Sequence, residues 1–105
     1  MKENNQEVKE IIIYRVKPSS EDNFTEEGLD QLRAFAQSQP GMMKHTTFRS
    51  VKNQDIFVDF VSWDSLANAE AAVAKMDELS KSEEMQGMMQ SFEKVEFFDH
   101  FKMMP

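Results

Sequence analysis

The chain has 105 residues and a mass of 12.2 kDa, enough for one domain with one core. Twelve Lys and Arg stand against 19 Asp and Glu, a formal net charge of −7. That balance argues against a nucleic-acid binder, which gains affinity by neutralising phosphates, and against docking on an anionic membrane. There is no cysteine, so a disulfide, a thiol nucleophile and a Cys–metal site are all excluded. Two histidines, His45 and His100, lie too far apart in sequence to suggest a dedicated metal site. No run of 18 apolar residues is present, so no transmembrane helix is expected. Residues 1–7 are polar and lack the apolar stretch of a signal peptide. The expectation is a soluble cytoplasmic protein with a disordered polar leader over 1–7 and a single domain over 8–105.

Nine Met and nine Phe contrast with one Tyr and one Trp. Three Gly and three Pro leave few breakers, so most of the chain should be regular structure. Val8 to Val16 is rich in β-branched residues, and Ile11-Ile12-Ile13 suggests a strand buried on both faces. Lys17-Pro18-Ser19-Ser20 ends it. A helix should follow, with Asn23 as its cap and Glu26 completing an approximate capping box. Leu29, Leu32, Phe35 and Ala36 then recur at helical spacing, and Gln39-Pro40-Gly41 stops the run.

Met42 to Val51 reads as a second strand, and the polar turn 52–55 joins it to a third, Ile56 to Trp63. Asp64 or Ser65 should cap a second helix with an apolar stripe of Leu66, Ala69, Val73 and Met76. Ser80 and Glu83 suggest a new start. Met85, Met88, Met89 and Phe92 fall at i, i+3, i+4 and i+7, which predicts a short third helix. Lys94 to Lys102 reads as a last strand.

The order is β-α-β-β-α-β with one extra short helix. This predicts an α+β, ferredoxin-like domain: a four-stranded antiparallel sheet with helices on one face. Apolar residues at both strand parities (Ile11, Ile12, Ile13, Val58, Phe60) require the other face to be covered too. A chain this short has no second layer to spare, so a homodimer packing sheet to sheet is expected.

Val8 to Met103 resembles the dimeric α+β barrel superfamily, and most closely its antibiotic-biosynthesis-monooxygenase type of domain. The residues that carry the resemblance are Pro40-Gly41 opening the second strand, and Val58-Asp59-Phe60-Val61-Ser62-Trp63-Asp64-Ser65 running into an Ala-rich helix. Ser82-Glu83-Glu84-Met85 through Met89 matches the short helix before the last strand. The resemblance implies a homodimer with a mostly apolar cavity in each subunit. It also implies, for several members, oxidation of phenols or quinols by dioxygen with no cofactor. The heme-degrading branch carries an Asn in its first strand, a Trp in its second helix and a His after it. None of these stands at the matching place here, so that activity is disfavoured.

Few residues are suited to chemistry. Tyr14 is a candidate to hydrogen-bond a substrate oxygen, or else a buried strand residue with a satisfied hydroxyl. His45 could remove a phenolic proton near neutral pH, or could be a surface histidine. Asp59 interrupts an apolar strand and needs a partner, with Arg49, Arg15 or a histidine as choices. Strand alternation puts it on one face with Phe57, Val61 and Trp63. The candidate catalytic set is His45, Asp59 and Tyr14. Trp63, Phe57, Met85 and Met89 are candidate pocket walls, although helical spacing also suits the methionines as core. Asp99 and His100 are neighbours and must face opposite ways; His100 shares parity with Lys94 and Glu96, which predicts a solvated side chain.

Three functional readings follow. One is a cofactor-independent monooxygenase acting on a small aromatic or quinol. The alternative is a non-catalytic homodimer, binding a small hydrophobic ligand or associated with stress. A purely structural dimer domain, its pocket filled by Met and Phe, is the third.

Overall fold

A computed structural model describes residues 6–105. The expected leader falls mostly on residues 1–5, outside the described residues. The strands are β1 (Val8–Val16), β2 (Met42–Arg49), β3 (Ile56–Trp63) and β4 (Phe92–Phe101). They form one antiparallel sheet in the order β2-β3-β1-β4. Helix α1 occupies 18–38, α2 is Leu66–Leu79 and α3 is Glu83–Ser91. The helices pack on one face of the sheet, so the ferredoxin-like α+β fold expected from the sequence is the fold observed.

Helix α1 differs from expectation at its start. Asn23 does not cap it; it already has helical dihedrals. The run begins with a 3₁₀ turn at Pro18–Ser20, where Pro sits at the first helical positions, and passes through a short α segment, Glu21–Asn23. It then widens to a π turn over Phe24–Gly28 before the regular stretch Leu29–Ser38. Phe24 is fully buried in that π turn, and a Cβ on Gly28 would come within 2.9 Å of its ring. The widened turn and the missing side chain together let Phe24 reach the sheet.

Ser65, not Asp64, caps α2: its hydroxyl accepts from the Asn68 N–H at 3.2 Å. The expected stripe is rotated. Ala69 and Ala72 are buried, whereas Leu66 and Val73 are exposed. Small residues face the sheet because α2 lies close to Val8, Val61 and Trp63, with which Ala69 and Ala72 form one core cluster. Tyr14, Val16, Phe24 and Phe57 form a second, edged by Ile12, Leu29 and Phe92. Within it, Tyr14 stacks on Phe57 with centroids 5.8 Å apart, and Phe24 meets Phe57 edge-on at 5.1 Å.

The chain turns from α1 into β2 at Gly41, whose φ is +84°. A Cβ there would collide with the Asp64 carboxylate and the Asn68 amide. Gly41→Ala is therefore expected to cost about 1–2 kcal/mol for the left-handed backbone alone, plus the cost of displacing Asp64 and Asn68. Urea melts of the variant, followed by circular dichroism, measure the loss.

The sheet's second face stays open. Phe48 and Phe60 meet edge-on at 5.7 Å, and Phe97 stacks on Phe101 at 6.0 Å. All four are exposed, Phe48 by 54%, and half-buried Ile11, Ile13 and Val58 lie between them. Among the described residues no element of the chain covers this face.

Candidate active site

The site is built on three strands. Cross-strand partners share a face, so the pairings His45↔Val61, Thr47↔Asp59, Glu10↔Val61 and Ile12↔Asp59 set these side chains together beneath the helices. Asp59 is only 2% exposed. A carboxylate that deep needs partners, and it has three. The Tyr14 hydroxyl donates to Oδ1 at 3.1 Å and the Thr47 hydroxyl donates to the same oxygen at 2.8 Å. His45 Nε2 lies 3.4 Å from Oδ2. Of the partners considered from sequence, the histidine is the one found. Arg15 is held by Asp55 and Glu96, and Arg49 by Glu21 and the Gln54 carbonyl.

The tautomer of His45 follows from its neighbours. Nε2 faces the Asp59 carboxylate and, at 3.4 Å, the Thr47 oxygen. The Thr47 hydrogen is already donated to Asp59, so both groups act as acceptors toward the ring. In the neutral ring, Nε2 therefore carries the proton and Nδ1 a lone pair. Nδ1 is buried and has no hydrogen-bond partner. The Trp63 Nε1–H is the second buried polar atom left without one. Such groups usually cost about 1–3 kcal/mol each, so two on one site are an invitation to a polar ligand.

Both side chains line a cavity of about 120 Å³. Its floor is the sheet (Ile12, Val61 and Trp63), and α1 and α2 wall it with Leu32, Phe35, Val73 and Met76. Exposed Val73 and Phe98 mark its rim. Among the described residues, the polar side chains on its lining are Glu10, His45, Asp59 and the Trp63 indole. Among the described residues, no three His, Asp or Glu side chains converge to hold a metal ion.

The candidates read from sequence sort as follows. His45, Asp59 and Trp63 lie together on the cavity. Tyr14 is not on its wall; it reaches the site through Asp59. Burial raises the Tyr14 phenol's pKa far above its ordinary value, and the adjacent Asp59 charge and hydrogen bond push the same way. Tyr14 thus stays protonated and holds Asp59 in place. Phe57 is not a pocket wall: it belongs to the aromatic core around Phe24. Met85 and Met89 do not line the cavity either. Helix α3 packs against the π turn and β4, with Met88 as its buried methionine, and that is the far end of the sheet from His45. Met76 of α2 is the methionine that lines the cavity.

Sequence reasoning missed Glu10 and misplaced His100. Glu10 is 6% exposed and lines the cavity. His100 is not solvated on a polar face; its Nε2 lies 2.9 Å from Glu10 Oε1. The reason is a bulge. Val95 lies opposite Tyr14 and Phe97 opposite Ile13, so Glu96 is an extra residue and strand parity reverses across it. Asp99 does face away from His100, as expected, opposite Ile11.

Burial raises the Glu10 carboxyl above its ordinary pKa, outweighing the hydrogen bond and charge of His100 that lower it. The Asp59 charge adds to the rise; the Trp63 indole lowers it slightly from a position just outside hydrogen-bonding geometry. The sign for stability is set by that direction. A carboxyl whose folded pKa is raised contributes stability at low pH and loses it as pH rises through the folded value. Glu10→Gln has no such group. Relative to the wild type it is expected to gain stability between the ordinary carboxyl range and neutral pH. Paired urea melts across that range give the difference.

No protein-family model matches the chain, and no curated protein matches its sequence. Solved structures do match. A protein of Bordetella bronchiseptica provisionally named an antibiotic biosynthesis monooxygenase superposes with a TM-score of 0.76 at 19% identity, over 95% of this chain and 99% of that one. SnoaB, a cofactor-independent oxygenase from Streptomyces nogalater, gives 0.72 at 19% identity, over 95% of each chain. A Nitrosomonas europaea protein with the same provisional name gives 0.73 at 14% identity, over 97% and 94%. The chain shares the fold of these structures. At these identities the likeness carries the fold alone, so the activity has to be argued from the cavity itself.

Proposed function

We propose that the protein is a cofactor-independent monooxygenase acting on a small phenol or quinol. The observation that carries this reading is the buried, unpartnered Nδ1 of His45, fixed as an acceptor by Asp59, in an otherwise apolar cavity. A substrate hydroxyl placed against Nδ1 gives it a partner and a base. The resulting phenolate yields an electron to dioxygen far more readily than the phenol does.

The steps balance without a further oxidant or reductant. His45 takes the hydroxyl proton. The phenolate passes one electron to dioxygen, and the aryloxyl radical and superoxide combine at a ring carbon bearing hydrogen. The peroxide oxygen takes the proton back from His45. That carbon then loses its hydrogen as a proton while the O–O bond breaks, leaving a carbonyl on the ring and releasing water. The substrate loses its O–H and C–H hydrogens and gains one oxygen; the second oxygen leaves as water. In this reading the Trp63 N–H donates to an oxygen of the substrate or peroxide.

The cavity is close to the roughly 150 Å³ that accepts one benzene ring, and below the roughly 300 Å³ of most ligand pockets. The enclosed part is smaller than a benzene-binding cavity, so a bound ring extends past Val73 and Phe98 at the open rim. The open apolar face of the sheet supports a homodimer as the working form, a second copy covering Phe48, Phe60, Phe97 and Phe101. Sedimentation equilibrium of the wild type against Phe60→Asp tests that part. An oxygen electrode with a panel of phenols and hydroquinones tests the reaction. Stoichiometric uptake is expected, and binding without uptake would replace the enzyme with a ligand-binding protein.

A further inference from the structure

The cavity carries a second carboxylate–imidazole pair, and strand pairing fixes where it sits. His45 lies opposite Val61, Val61 opposite Glu10, and Glu10 opposite His100. These four residues form one row straight across the sheet from β2 to β4, all on the face beneath the helices. His45 closes the row at one edge and Glu10 with His100 at the other, with Val61 between them. Two strand spacings, about 10 Å, separate the His45 and Glu10 backbones. That is about the span of one ring bearing oxygens on opposite sides, with a hydrogen bond at each end.

The fold alone gives no reason for the pair. A buried carboxylate–imidazole pair can often be replaced by apolar residues without loss of stability. Yet Glu10 stands between half-buried Ile12 and buried Val8 on β1, facing an apolar cavity. Its Oε1 is hydrogen-bonded by His100, and the Trp63 indole lies near the carboxylate without a hydrogen bond to it. Among the described residues no hydrogen bond reaches Oε2, so that oxygen can accept from a ligand hydroxyl.

We propose that Glu10 and His100 form a second hydrogen-bonding subsite of this cavity, holding a second oxygen of a ligand whose first oxygen meets His45. His100 orients the carboxylate, and Glu10 touches the ligand. The preferred ligand is then a single ring with oxygens at para positions, over a ring with one hydroxyl or with two placed meta. The inference rests on the cavity being the aromatic site proposed above, and it does not require turnover.

Calorimetric titration under nitrogen tests it with phenol, hydroquinone and resorcinol. Hydroquinone is expected to bind wild-type protein about tenfold more tightly than phenol or resorcinol, the return on one hydrogen bond to a buried carboxylate. In Glu10→Leu the ratio of hydroquinone to phenol affinity should fall to about one. His100→Leu supplies the same ratio should Glu10→Leu fail to fold, and should also diminish the advantage. If phenol binds and hydroquinone shows no advantage, or keeps it in both variants, the subsite is overturned and the His45 site stands. If none of the three compounds binds wild type, the aromatic site and the subsite fall together.

Discussion

His45→Ala lowers oxygen uptake on a phenol by about 10²–10⁴-fold, the usual range for losing a positioned base. The loss should fall on kcat more than on KM, because the cavity walls that hold the ring are untouched. The effect has a signature that a misfolded variant would lack. A phenol titrates near pH 10, so raising the pH toward that value lets solvent make the phenolate and recovers much of the rate. Asp59→Asn acts through the ring instead of on the substrate. An amide in place of the carboxylate can present its NH₂ to Nε2, which moves the imidazole proton to Nδ1 and removes the base. An equivalent change in serine proteases costs about 10⁴-fold, and a loss on the order of 10²-fold or more is expected here. High pH should rescue it in the same way. Uptake unchanged in both variants would dismiss His45 as the base.

Phe24→Ala is the substitution expected to harm stability most. Phe24 is fully buried and its ring meets those of Tyr14, Phe57 and Phe92 at centroid distances of 5.9, 5.1 and 5.6 Å. Emptying such a site costs about 3–5 kcal/mol. A domain of this size holds only about 5–15 kcal/mol in total, so the variant should be close to unfolding at 37 °C. Urea melts at low temperature should show a lower midpoint with an unchanged slope. Phe24 lies in the aromatic core and not on the cavity wall, so the folded fraction should still bind phenol. A loss below 1 kcal/mol would mean that the π turn relaxes and closes the hole.

Strand β3 was fully legible in the sequence. Its span, Ile56–Trp63, its hairpin with β2, and the shared face of Asp59, Val61 and Trp63 all follow from alternation and from the polar turn before it. The stop at Gln39-Pro40-Gly41 was equally local, and the cap was narrowed to Asp64 or Ser65, of which the structure uses Ser65. Helix α1 was harder. Asn23 and Glu26 carry the letters of a capping box, but the helix had already begun at Pro18, and the π turn that lowers Phe24 onto the sheet has no sequence period of its own. The apolar stripe of α2 misled for a different reason. Alanines count weakly in a pattern read by hydrophobicity, yet close approach to Val8 and Trp63 selects them for the buried side.

The sequence by itself determined the order of elements, the fold class and the presence of one histidine and one acid on apolar strands. These are consequences of local rules: period, capping and turn chemistry act within a few residues. Only the tertiary structure decided that Asp59 would be met by Tyr14, Thr47 and His45, that Met85 and Met89 would lie away from the cavity, and that His100 would turn inward to Glu10. Glu10 and His100 are 90 positions apart, and their meeting depends on one extra residue, Glu96, that reverses the parity of β4. Strand register is a long-range property. It is settled by the pairing of whole strands, and a single bulge then chooses which side chains reach the cavity.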